Sequence, residues 1–375
     1  MAATSSRPGP HTLQSYAPIA LPPQLNRLED IFDTPSISHV DPLTIEVPPE
    51  TPSPNNNNTQ ENSNLDKGGF LPAFLHLPHD FRRPPPQTPP SSTHNIHPNS
   101  PHTNRTAALL LSGAGGGLAG PSSIYLGLAC KLAALGHGQA QGIPTLRMDY
   151  RDPGDVRRCV RDVRAAVGFL GRKYGVRRVV LVGWSVGGEV VFGVSSLASP
   201  ASSPGAGSSG KDGLGGAEVV GCATMAGRGL EQAGDRGVDA MEGVRHMGRE
   251  GRPVLLLHGS EDGTVGVGCS RKVLDVYRAA AEQAAANSNE GKKGKESAQD
   301  GLGDVLLRVF EGDNHTLSKN AEEAEVMLCE FVARCAGVRL GGRDRKSVVE
   351  TELVEDVERL SLMRRGGDLR EERVD

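Results

Sequence analysis

The sequence predicts an α/β protein, a mostly parallel, doubly wound sheet of about eight strands with helices on both faces. Three observations predict it. Short continuous apolar runs bounded by glycine recur between residues 106 and 310, the pattern of strands buried on both faces. Helical patterns separate these runs, so strand and helix alternate six times. Prolines are segregated, 20 of the 26 falling in residues 1–105 of a 375-residue chain. That leaves a body of roughly 230 to 270 residues, enough for one good core.

Residues 1–35 carry proline, serine and scattered polar residues without a sustained period and read as a disordered segment. L-T-I-E-V (43–47) alternates apolar and polar residues as a strand does. So does L-P-A-F-L-H-L-P (71–78), whose prolines predict an edge position. The stretches 48–67 and 82–105 are rich in proline, asparagine and serine and read as solvated loops. The buried-strand pattern then appears at 107–111, 143–150, 176–183, 217–226, 253–259 and 304–310. Val156, Val160, Val163, Val167 and Leu170 are spaced 4, 3, 4, 3 with Arg and Asp between them, one apolar stripe on an amphipathic helix. Two further low-complexity inserts, 198–213 and 282–301, sit in connections, where added length costs little. The body therefore spans 36–338, followed by a charged tail, 339–375, in which Val349, Leu353, Val357 and Leu360 suit one short helix. Residues 1–35 and 345–375 and the inserts 198–213 and 282–301 are expected to be dispensable, so that a chain of residues 36–344 with both inserts shortened should keep its activity within a few-fold.

A net charge of −4 argues against nucleic acid as the main partner. No run of residues has the apolar length of a membrane span, and the N-terminus lacks the apolar core of a signal peptide. Cys130, Cys159, Cys222, Cys269, Cys329 and Cys335 show neither C-x-x-C pairs nor metal-ligand spacing. They read as reduced thiols of a cytoplasmic protein.

The chemistry starts at Gly183-Trp184-Ser185-Val186-Gly187. A G-x-S-x-G match alone is weak, since shuffling this composition yields about 0.4 of them. Its context is stronger. It follows V-V-L-V and precedes an apolar helix start, so the serine stands at a sharp strand-to-helix turn with its hydroxyl exposed at the strand end. At this point the chain resembles the α/β-hydrolase superfamily. The resemblance implies a base and an acid after later strands, in the order Ser, acid, His. His258-Gly259-Ser260-Glu261-Asp262-Gly263-Thr264-Val265 is similar to the family's H-G-x-x-D-x-x-V turn and implies Asp262 as the acid, with Glu261 as the alternative. Glu311-Gly312-Asp313-Asn314-His315, after the last strand, is similar to its G-x-x-H loop and implies His315 as the base. Asp149-Tyr150-Arg151-Asp152-Pro153-Gly154 is similar to its D-x-R-G loop.

An oxyanion hole needs two backbone N–H groups aimed at developing negative charge. By position they are those of Val186 and of Ala114, in the turn Ser112-Gly113-Ala114-Gly115-Gly116-Gly117, with Gly115 as the alternative to Ala114. The family usually has His where this chain has Ser112. The same turn supports a rival, because Gly115, Gly117 and Gly120 satisfy G-x-G-x-x-G after a strand, with Asp149 ending the next one. That dinucleotide-binding reading leaves the strand-end Ser, Asp and His unexplained. A P-loop is excluded by Pro121 where its lysine must stand.

The resemblance spans about residues 40–337. Only 26 residues, 227–252, stand where many members insert a cap. The chain is thus more similar to capless members such as dienelactone hydrolases and small esterases. The function implied is a serine hydrolase acting on a small ester, thioester or lactone, with no cofactor and no metal. An acyltransferase would use the same residues. A non-catalytic binding module is the alternative of another class, and the intact Ser, Asp and His argue against it.

Overall fold

Along the strand Arg105–Leu111, Ala107, Leu109 and Leu111 join one apolar core while Ala108 and Leu110 join another. This two-sided burial is why the strand reads as an unbroken apolar run rather than an alternating one. The computed structural model describes residues 12–32, 38–50, 65–83, 105–136, 142–196, 214–228, 239–289 and 305–369. Its strands are β1 (Ser38–Val47), β2 (Gly69–Pro78), β3 (Arg105–Leu111), β4 (Thr145–Met148), β5 (Val176–Trp184), β6 (Glu218–Met225), β7 (Val254–Gly259) and β8 (Val305–Phe310). They form one eight-stranded sheet in the order β1-β2-β4-β3-β5-β6-β7-β8. The β1–β2 and β2–β4 pairs are antiparallel and the rest are parallel.

All eight strands lie where the sequence predicts them, but β2 is not an edge strand. It pairs with β1 on one side and β4 on the other. The prolines are tolerated because β4 is short. Only Ala73–His76 pair with it, and just beyond them Pro72 is needed only as an acceptor, taking the Asp149 N–H at 3.1 Å.

One core is covered by α4 (Val156–Tyr174), α5 (Val186–Ser196), α6 (Ala240–Arg249) and α7 (Gly268–Asn289). The other is covered by α3 (Ile124–Ala134) and α8 (Ala321–Ala336). The stripe of Val156, Val160, Val163, Val167 and Leu170 is buried as expected. Helix α4 starts where the Asp155 carboxylate accepts the Arg158 N–H and stops at Gly175 in the left-handed region. Residues 282–289, expected in an insert, continue α7, since the alanine run there favours helix over loop. Most of the expected inserts lie outside the described residues, as does 229–238 of the β6–β7 connection.

Both ends of the chain depart from expectation. Residues 12–32, expected to be disordered, contain α1 (Leu13–Tyr16) and α2 (Asn26–Phe32), and Tyr16, Ile19 and Leu28 are fully buried. This strap is fixed by the buried Arg147, whose guanidinium donates to the Ile19 and Ala20 carbonyls at 3.0 and 2.6 Å. Burial pulls that guanidinium down to about 10, which still leaves it charged at neutral pH. Residues 342–369, expected to be a solvated tail, include a turn of π-helix at Arg345–Val349 and α9 (Asp356–Gly366). Val348, Val349, Leu353, Val354, Leu362 and Met363 are buried there. The expected stripe does not form one helix: Val349 ends the π-helical turn, Leu353 lies between the two elements, and Val357 and Leu360, in α9, are 86% and 43% exposed. Tyr16, Ile19, Leu118, Ala119, Leu126, Val354 and Leu362 form a third apolar cluster, joining both chain ends over the turn that follows β3.

Candidate active site

Strand β5 runs into helix α5 at Ser185, whose φ of 53° lies in the left-handed region that non-glycine residues rarely adopt. Backbone hydrogen bonds hold it there. Ser185 N–H donates to the Met225 carbonyl, and its carbonyl accepts from Gly188 and Arg228 N–H, each at 3.0 Å. Close approach explains the flanking glycines. A Cβ on Gly183 would stand 2.2 Å from the Gly187 carbonyl oxygen, and one on Gly187 would stand 2.6 Å from those of Leu111 and Ser112. This is the strand-end presentation that the G-x-S-x-G context predicts.

Asp262 and His315 meet at the ends of β7 and β8, with His315 Nδ1 2.8 Å from Asp262 Oδ2. Both residues are buried, whereas Glu261 is exposed. The other carboxylate oxygen of Asp262 accepts the Thr264 and Val265 N–H groups at 2.9 and 2.7 Å. His258, which opens the H-G-x-x-D-x-x-V turn, is a further partner. Its Nε2 is 3.2 Å from Asp262 Oδ2 and 2.7 Å from the Val265 carbonyl oxygen. Facing two acceptors, Nε2 carries the proton, and Nδ1 accepts from the Ser270 hydroxyl at 2.7 Å. Burial of Asp262 favours its neutral form. The hydrogen bonds from His258, His315 and Val265 outweigh that and hold the carboxyl well below the ordinary range. The loop bearing His315 is folded around Asp313, whose carboxylate accepts the backbone N–H groups of Asn314, Lys319 and Asn320.

Trp184 ties the histidine to the elbow. It is the residue before Ser185. Its indole Nε1–H donates to the His315 carbonyl at 3.1 Å, and the two rings stand 5.6 Å apart. The turn after β3 closes the arrangement, since a Cβ on Gly113 would meet Ser185 Cβ at 3.2 Å. Ala114 follows in that turn, half-buried. Val186 opens α5, so its N–H belongs to the first turn of a helix, where donors have no intrahelical partner. The residues expected from the sequence thus gather at the C-terminal ends of β3, β5, β7 and β8.

The dinucleotide-binding alternative fails at the same turn. A phosphate would need the turn's N–H groups, and the protein's own carboxylates occupy them. Asp149 Oδ1 accepts Gly117 N–H at 2.8 Å. Asp368 accepts Ala119 N–H at 2.8 Å and Gly120 N–H at 2.7 Å. The Tyr125 ring fills the space at Gly120, where a Cβ would stand 2.4 Å from it. Trp184 and Asp149 were in view in the sequence without these roles. Asp368 gave no signal at all.

No family profile and no curated protein matches the sequence. Solved structures resemble it at a distance. Est1E from Butyrivibrio proteoclasticus is 14% identical with a TM-score of 0.43, over 72% of this chain and 95% of that one. The esterase Est2 of the Planctomycetes species Thermogutta terrifontis is 17% identical with a TM-score of 0.45, over 72% and 90%. XC6422 from Xanthomonas campestris, an α/β serine hydrolase without lid, is 13% identical with a TM-score of 0.40, over 80% and 95%. Likenesses this distant carry over neither substrate nor residue roles. The chain's own strand order, with its antiparallel start and its Ser185 elbow after the fifth strand, gives it the α/β-hydrolase fold.

Proposed function

We propose that this protein is a serine hydrolase that cleaves a carboxylic ester, thioester or lactone through an acyl-enzyme intermediate. The observation that carries the reading is a strained, strand-end serine whose neighbour Trp184 packs on a histidine already hydrogen-bonded to a buried carboxylate. In the proposed reaction Ser185 Oγ attacks the carbonyl carbon and its proton passes to His315 Nε2. Asp262, on the Nδ1 side, fixes the tautomer and stabilises the imidazolium. Val186 and Ala114 N–H groups, with Gly115 as the alternative to Ala114, hold the oxygen of the tetrahedral intermediate. His315 returns the proton to the departing alcohol, thiol or lactone oxygen. Water then repeats the attack on the acyl-Ser185, releasing the acid and restoring the serine. The short β6–β7 connection supports a small acyl substrate.

A fluorophosphonate probe is expected to label the folded protein once, with the adduct on Ser185 by peptide mass spectrometry. A panel of esters of increasing acyl length should then show turnover. Folded protein that ignores the probe and every ester overturns the reading. The choice of acid has its own test. Asp262→Asn is expected to lower kcat/KM by roughly 10³- to 10⁴-fold, because an amide holds the wrong tautomer and cannot stabilise the cation. Glu261→Gln should stay within a few-fold of wild type, since Glu261 is exposed. The reverse pattern would assign the acid to Glu261.

A further inference from the structure

The turn that supplies the second oxyanion donor has little of its own to hold it. Between residues 112 and 120 stand five glycines, of which Gly116, Gly117 and Gly120 have φ of 73°, 104° and 72°. Such a segment loses more conformational freedom on folding than any other, so a fixed conformation needs external restraint. Two buried carboxylates from distant parts of the chain provide it. Asp149 accepts Gly117 N–H at 2.8 Å and is itself held by the Tyr16 hydroxyl of the N-terminal strap. Asp368, fully buried, takes the next donors, Ala119 N–H on Oδ2 and Gly120 N–H on Oδ1. Ser112 Oγ donates to the Gly117 carbonyl at 2.6 Å and lies 3.3 Å from Asp368 Oδ1. The turn is moulded around this carboxylate, because a Cβ on Gly117 would stand 2.6 Å from Asp368 Cγ.

The same C-terminal segment also reaches the histidine loop. Leu118 N–H donates to the Gly366 carbonyl at 3.0 Å. Arg359 of α9 donates to the Ser122 carbonyl at 3.0 Å, and its own carbonyl accepts the Ser123 hydroxyl at 2.6 Å. Ser122 and Ser123 are consecutive left-handed residues, φ 43° and 55°, and such geometry persists only where the surroundings impose it. From there the Ser122 hydroxyl donates to the carbonyl of Thr316, the residue after His315, at 2.8 Å.

We infer that Asp368 is a positioning residue that sets the oxyanion turn, and that the C-terminal segment is thereby part of the catalytic apparatus. The inference rests on the serine-hydrolase reading. Oxyanion donors are effective because they are fixed before charge develops, and loss of one such donor lowers kcat by about 10²- to 10³-fold. A loosened donor should cost less than a missing one.

The test is Asp368→Asn in the full chain. The side chain keeps its shape, but its amide nitrogen cannot accept, so either Ala119 or Gly120 N–H loses its partner. Fluorophosphonate titration counts competent sites, and kcat is expressed per titrated site. A boronic acid inhibitor, which forms a tetrahedral adduct on the serine with an oxygen in the hole, reports transition-state binding. The expected result is a kcat lower by roughly 10- to 100-fold, KM within about 3-fold, and boronate affinity weakened by the same factor as kcat. Ser112→Ala should move kcat and boronate affinity in the same direction by less, and it decides the matter if Asp368→Asn does not fold. Unchanged kcat per site, or unchanged boronate affinity in folded variants of an active wild type, overturns the inference and leaves the hydrolase reading standing. A wild type inert to probe and esters overturns that reading and the inference with it.

Discussion

Ser185→Ala and His315→Ala are each expected to abolish ester hydrolysis, by roughly 10⁴- to 10⁶-fold, and the double variant to be little worse than either. The non-additivity is the informative part. If His315 acts only by taking the Ser185 proton, removing it gains nothing once the hydroxyl is gone. Neither change should unfold the protein. Ser185 is held by backbone bonds to Met225, Gly188 and Arg228 that do not involve its side chain. Truncating His315 spares the carbonyl that accepts from Trp184. Asp262 keeps donors from His258, Thr264 and Val265, so no uncompensated buried charge results. Melting temperatures close to wild type, with hydrolysis lost in all three variants, is the expected outcome. Multiplicative losses in the double variant would mean that the two residues act independently and that the base lies elsewhere.

These residues were legible because each stands at the end of a strand that the sequence announces. Apolar runs mark β3, β5, β7 and β8, broken in β8 only by Arg308, and the candidate residues sit in the few positions after each. Asp262 was distinguishable from Glu261 only by the motif; in the structure Asp262 is buried and Glu261 is exposed. The hydrogen bonds of His258 to Ser270 and Val265 depend on three-dimensional packing that no spacing encodes.

The chain ends were not legible, for a different reason. Tyr16, Ile19 and Leu28 are buried from a four-residue helix, a three-residue 3-10 turn and a seven-residue helix, each too short for a period to emerge. In α9 the buried residues include Arg359, which a hydropathy pattern scores as outward-facing. It is buried because Asp356 and the Ser122 carbonyl accept its N–H groups. Asp368 is the extreme case, since burial and the nearby Asp149 push its carboxyl well above the ordinary range against the pull of Ala119 and Gly120 N–H. Aspartate is a residue that composition assigns to the surface, and no spacing shows that the Ala119 and Gly120 N–H groups hold this one inside.

A chain ending at residue 344, which the sequence suggested would be active, is therefore expected to fail. The cut removes Val348, Val349, Leu353, Val354, Leu362 and Met363. They share apolar clusters with Leu28 of the N-terminal strap and with Ile124, Leu128, Leu118 and Leu126, which would lose that packing. Apolar surface uncovered in this way drives association. Buried polar groups lose partners as well. Lys131 Nζ, paired with Glu325 at 2.7 Å, gives up the Val349 carbonyl at 3.0 Å, and at the surface the half-exposed Arg27 gives up Glu355 at 2.7 Å. The glycine turn loses Asp368 altogether. Whatever soluble protein remains should hydrolyse esters at least roughly 100-fold more slowly, because the oxyanion donors are no longer fixed. A chain ending at residue 369 keeps every one of these contacts and should match wild type. Soluble yield, analytical gel filtration and the rate per fluorophosphonate-titrated site separate the cases. A monomeric 1–344 chain with the wild-type rate would show the C-terminal helix to be a passive cover.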